Sequence, residues 1–202
     1  MTGAVTLYGP GSADAAFNAG VVALRRGDED RGLKALEPAL AAYPRDARLW
    51  QITGLLHRQI DELEAAIASL AEAHRLNPGD ARIAHAFARA HLEAGLPAVA
   101  LFRNALRLAP QDGEVLLGLV AALENGEGPG AALAELEHLL SAWPTWIPGL
   151  EAITQLRWQC GDLGNFSAFE RALAREPRNI ELWRSFVITL TQGDLYEESL
   201  AA

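Results

Sequence analysis

Apolar and small residues recur along this chain with the period of an α-helix, and the pattern is interrupted at nearly even intervals. Within 47–80, Trp50, Thr53, Gly54 and His57 fall at i, i+3, i+4 and i+7, so they share one helix face. After a turn at Gln59–Glu62, Ile67, Leu70 and Ala73 do the same on a second segment that stops at Pro78. Proline lacks an N–H and excludes helical geometry from the residue before it. Pro44, Pro78, Pro110, Pro144 and Pro177 are spaced by 34, 32, 34 and 33 residues. Two places after four of them stands a residue suited to capping the next helix: Asp46, Asp80, Asp112 and Asn179. At the remaining one stands Trp146. The pattern predicts helix pairs at about 13–46, 47–80, 81–112, 113–146 and 147–179, with a partial sixth at 180–202. Val/Ile/Thr alternation is scarce, so the fold class is all-α.

Each pair adds a local expectation. Residues 1–12 read as a flexible leader ending at Ser12, a suitable N-cap. Gly20 and Gly54 allow close helix approach, with Ala66 opposite Gly54 and with Trp50 and Leu70 filling the space beside it. Pro38 lies inside a helix and should bend it. The 81–112 pair is two residues short, a loss expected in the turn at Gly95-Leu96-Pro97. Residues 125–130, with three glycines and a proline, should be the most mobile connection. The 147–179 pair is the least regular, with Asn165 where a small residue is expected. The last segment should turn at Gly193-Asp194 and begin a final helix near Tyr196, leaving Leu195, Tyr196 and Leu200 partly bare. Such an unfinished end suggests the N-terminal part of a longer polypeptide.

The Trp50, Gly54, His57, Ala66, Leu70, Ala73 and Pro78 spacing resembles the tetratricopeptide repeat. That resemblance implies a right-handed superhelical solenoid of antiparallel helix pairs over 13–202 that binds a peptide or an adjoining domain in a concave groove lined by first helices. Residues offset from the core stripe would face the groove: Arg48, Gln51, Leu55 and Arg58, then Arg82, His85 and Arg89. Further along come Glu114, Leu117 and Glu124, then Glu151, Gln155 and Trp158. Charge would thus change from basic to acidic along the groove, and its arginines would suit a carboxylate-bearing peptide. Trp158 could anchor a partner, or fill the core slot left by Arg157. Members of the family that clamp chaperone C-termini use lysines, asparagines and an arginine. The matching positions here are Phe17, Val21, Ile52, Arg82 and Ala86, so that clamp is missing. Similar bacterial repeats precede sulfotransferase and oxygenase domains, which makes a substrate-positioning arm one alternative and self-association through the open end another.

Composition narrows the functions further. The 202 residues carry 26 acidic against 17 basic side chains, a formal charge of −9, which argues against a nucleic-acid footprint. No signal peptide is recognisable, and the longest apolar run, Val115–Leu123, is too short to span a bilayer. The expectation is a cytoplasmic scaffold with a protein or peptide partner and no membrane contact. Cys160 is alone and expected to be buried and inert. His57 and His91 occupy equivalent core-facing positions, His74 and His138 should be solvated, and His85 is left open. His91 and Glu93 are two apart on a helix and point away from each other, so they cannot share an ion. No nucleophile elbow, phosphate-cradling loop or metal-ligand spacing occurs, so no catalytic residue, cofactor or metal is assigned.

Overall fold

The computed structural model describes residues 12–201, with side chains through Gly193. The expected leader therefore falls outside the described residues, apart from Ser12, and so do the side chains of Leu195, Tyr196 and Leu200. Every regular element among the described residues is a helix. The helices pack in two units, Met1–Pro110 and Gln111–Ala202.

The first unit contains α1 (Ala13–Arg26), α2 (Glu29–Ala42), α3 (Ala47–Gln59), α4 (Leu63–Leu76), α5 (Ala81–Glu93) and α6 (Val99–Leu108). In this unit the first helix of each pair starts at a capping side chain. Ser12 Oγ accepts from Ala15 N at 3.1 Å, Asp46 from Arg48 N at 3.0 Å, and Asp80 from Arg82 N at 2.9 Å. Helix α1 packs on α2, α3 on α4 and α5 on α6, while α3 also touches α1, α2 and α5. Leu36, Leu49 and Leu56 are fully buried between the first three helices. Burial of each such side chain is worth roughly 1.5–3 kcal/mol. Leu70, Ala86 and Ala90 continue the core between α4 and α5.

Gly54 explains how α3 and α4 come so close. A Cβ there would stand 2.6 Å from Leu70 Cγ and 3.1 Å from the Ala66 carbonyl oxygen. Trp50 is half-buried, and its indole N–H donates to the Pro44 carbonyl at 2.9 Å. Trp183 makes the same bond to Pro177, also at 2.9 Å. In both places the tryptophan ties a helix to the proline that closes the previous pair.

The second unit contains α7 (Gly113–Glu127), α8 (Pro129–Ala142), α9 (Ile147–Gln159), α10 (Ser167–Arg175) and α11 (Ile180–Ala201). Asp112 caps α7 through Glu114 N and Val115 N, and Asn179 accepts from Leu182 N at 3.1 Å. Trp146 gives α9 no side-chain cap. Leu119, Leu136, Leu150, Ile153, Phe169 and Leu182 form the buried interior.

Several local expectations need correction. The shortness of the third pair lies in its second helix: α6 has 10 residues where α4 has 14. The connection expected over residues 125–130 is shorter than that. Helix α7 runs to Glu127 and α8 starts at Pro129, so Gly128, at φ 92°, makes the connection. Pro38, by contrast, lies inside α2 as expected, and it is exposed. No turn occurs at Gly193-Asp194, because α11 is continuous. Gly193 instead permits close packing, since a Cβ there would stand 3.1 Å from Trp158 Cζ2.

Candidate functional site

In the first unit, α1, α3 and α5 lie side by side, and cross-helix ion pairs mark the surface they share. Arg48 on α3 reaches Asp14 on α1 at 2.8 Å and its own N-cap Asp46 at 2.6 Å. Its guanidinium also sits 5.6 Å from the Phe17 ring centroid. Arg82 folds back on Asp80 at 3.0 Å. These hydrogen bonds hold the Asp46 and Asp80 carboxyls below their usual pKa and raise those of both arginines. Two of the four arginines expected to confer a basic surface are therefore already matched to local acids. Asp46 and Asp80, expected only as caps, thus have a second role that their spacing to Arg48 and Arg82 could have signalled.

The other two converge. Arg58 on α3 lies 3.5 Å from Glu93 on α5, and Arg89 lies 3.3 Å from the same carboxylate. Burial lowers the Arg58 pKa, Glu93 opposes that, and the charge of Arg89 lowers it further. Two guanidiniums around one carboxylate leave one positive charge without a counter-ion in the trio. Gln51 and His85 are half-buried on the same helices.

In the second unit, Glu114 and Gln155 are exposed and Glu124 is half-buried. Glu151 accepts from Ser185 Oγ at 2.6 Å, linking α9 to α11. Trp158 belongs to the core. Only 7% of it is exposed, and its ring meets Phe166 edge-on at 6.5 Å between centroids. Arg157 vacates no slot, because it is itself buried. Its guanidinium donates to the Asn165 carbonyl and Oδ1 and to Ser167 Oγ, and it lies 3.3 Å from Glu137. Desolvating that charge is offset by these bonds. They also account for Asn165 in a place where a small residue was expected.

The histidines divide differently from expectation. His57 and His91 are half-buried, and His57 Nδ1 is 2.7 Å from Glu62 Oε2. His74 is not simply solvated: its Nδ1 is buried, and its ring stacks on Phe87 at 6.0 Å. Phe87 meets His91 edge-on at 4.8 Å. Burial lowers the His91 pKa, partly opposed by a hydrogen bond with the Pro97 backbone. His138 is exposed, and so is Cys160, which sits at the C-cap of α9 rather than in a core. Among the described residues no three His, Cys, Asp or Glu side chains gather as metal ligands, and no helix is long and apolar enough to cross a membrane.

Residues 17–81, which span α1 to the start of α5, match the family described as Tetratricopeptide repeat. Over that stretch the chain is similar to the tetratricopeptide repeat. The human PEX5-related protein is 25% identical over 209 residues, covering 91% of this chain and 32% of its own. The chain thus spans about a third of the length of that curated relative. Among solved structures, MamA superposes with a TM-score of 0.68 at 19% identity, over 84% of this chain and 94% of its own. YrrB, described as a tetratricopeptide-repeat protein with an unusual peptide-binding site, superposes at 0.63 and 14% identity, over 86% and 91%. At these identities the likeness is one of fold, the all-α solenoid of helix pairs.

Proposed function

We propose that these repeats form a non-catalytic protein-interaction scaffold whose first-helix surface in the first unit takes an acidic peptide. The observation that carries this reading is the Arg58–Glu93–Arg89 trio, where two cations share one carboxylate across α3 and α5. A ligand carboxylate placed beside it would balance the charge, and a guanidinium fork favours carboxylate geometry. Partial burial of Arg58, whose side chain is 25% exposed, strengthens such a contact relative to one in open water. Arg48 and Arg82 contribute less, because each is engaged by an aspartate.

The test is titration of the full chain with a blocked glutamate-rich peptide. Arg58→Gln with Arg89→Gln should weaken binding about tenfold, the equivalent of one good charged contact, while far-UV CD stays unchanged. Unaltered affinity in the double variant would remove the first-helix surface from consideration.

Self-association is a second reading, favoured by the apolar face of α11. Ile180, Trp183, Val187 and Ile188 are 78%, 45%, 56% and 49% exposed. Light scattering over a range of concentrations separates it, since a constant monomer mass would leave it without support.

A further inference from the structure

The second unit holds a pair of adjoining cavities that share Pro144 as a wall. One, of 460 Å³, lies at the connection between α8 and α9 and is lined by Trp143, Thr145, Trp146 and Gly113. The other, of 280 Å³, lies between α8 and α10, with Leu150 and Ala168 alongside Arg171 and Arg175.

The aromatic compartment departs from its counterpart in the first unit. There, Asp46 caps α3 and the Trp50 indole is bonded to Pro44. Here Trp146 replaces the capping residue, and Leu150 stands where Trp50 does, so no indole closes on Pro144. Trp183 is bonded like Trp50. The indole N–H groups of Trp143 and Trp146, by contrast, find no acceptor among the described residues. Both rings are half-buried. The Trp146 ring is seated on Gly149, where a Cβ would collide with it, and its Nε1 edge approaches Gly113. Giving up an N-cap costs about 1 kcal/mol, and breaking a local rule without local gain is a mark of function. Apolar ring faces beside free N–H donors suit an extended segment that buries a proline or aromatic ring and offers its backbone carbonyls.

The second compartment adds charge. Arg171 and Arg175 are one turn apart on α10, exposed, and neither has an ion-pair or hydrogen-bond partner among the described residues. Glu137, on the opposite wall, is engaged by Arg157. The chain as a whole carries −9, so two unmatched guanidiniums at one cleft form a local cationic spot. We infer that the two cavities around Pro144 form one docking site for an extended peptide carrying a proline or aromatic residue next to an acidic one, with the ring against Trp143 and Trp146 and the carboxylate on Arg171 and Arg175.

The probe is a blocked Gly-Pro-Pro-Glu-Glu-Gly peptide, titrated into the full chain and followed through the indole N–H resonances. Trp143→Phe and Trp146→Phe assign the two signals. Both should shift saturably, and Arg171→Glu with Arg175→Glu should weaken binding by about tenfold or more. A peptide with Gln for Glu should bind as weakly to the native chain as the Glu peptide does to that variant, a control that needs no altered protein. Arg58→Gln with Arg89→Gln should leave these shifts intact, so the outcome is independent of the first-unit surface. The proposal is overturned if neither indole moves saturably, if charge reversal at Arg171 and Arg175 leaves affinity unchanged, or if the first-unit variant abolishes the shifts.

Discussion

Gly54→Ala places a single methyl group at the closest approach of two helices. In an exposed helix the change would stabilise by about 1 kcal/mol, the difference in propensity between the two residues. Here the new Cβ would lie 2.6 Å from Leu70 Cγ and 3.1 Å from the Ala66 carbonyl. Comfortable carbon–carbon contact begins near 3.5 Å, so the pair must separate by about 1 Å. Leu70 cannot retreat freely, because it is fully buried and packs onward against Ala86 and Ala90 of α5. Ala66 O belongs to the backbone of α4, so rotamer change cannot relieve that contact. Overpacking of this kind costs about 1–3 kcal/mol. Because the backbone contact is rigid, the upper part of that range applies, and the net loss is about 1–2 kcal/mol. For a unit of this size that corresponds to a fall of roughly 5–10 °C in Tm. Gly126→Ala is the control, since Gly126 lies in the last turn of α7 with nothing within 4 Å of an added Cβ. It should raise stability by about 0.5 kcal/mol. Thermal and urea unfolding by CD measure both. Stabilisation by Gly54→Ala equal to that by Gly126→Ala would refute overpacking at this site.

Two further outcomes follow from the caps and the buried imidazole. Asp112→Ala should cost about 1 kcal/mol in urea unfolding, while Asp112→Asn stays within a few tenths, because asparagine also accepts from the helix N–H groups. His91 has a folded pKa below its ordinary 6.5. The unfolded chain therefore binds more protons between the two values, and stability contributed by neutral His91 declines as pH falls from about 6.5 toward the folded pKa. His91→Phe should flatten that decline, and Tm measured across this range in both proteins checks it. Parallel curves would exclude His91 as the source.

Helix pairing, the N-caps and the close approach at Gly54 were legible because each depends on residues near in sequence. Proline spacing marked the stops, and aspartate two places later marked the starts. Long-range contacts escaped. The identity of Gly193 as a turn residue rested on local propensity, but the ring of Trp158, far away in sequence, occupies the space that a side chain would need. In the same way, Arg157 looked like a break in an apolar stripe until Asn165, Ser167 and Glu137 converged on its guanidinium. The expected basic surface was correct about which residues are cations. It missed Asp14 and Glu93 beside them, because those pairs depend on how adjacent helices are aligned, and it read Asp46 and Asp80, two places before their arginines, only as caps. Residues 125–130 misled in another way: α7 continues through the exposed Asn125–Glu127 despite a glycine that favours a loop.

The Asp-Ala-Arg run at 46–48 recurs at 80–82, and in each the aspartate grips both the backbone and the side chain of its arginine. An incoming anion that recruited Arg48 or Arg82 would have to compete with an intramolecular rival present at high effective concentration. Weak or fleeting acidic contacts would thereby be filtered out. A partner able to displace that rival would free the aspartate's outer oxygen and alter the start of α3 or α5, making recognition at this surface detectable as a change in amide exchange at the helix entrance.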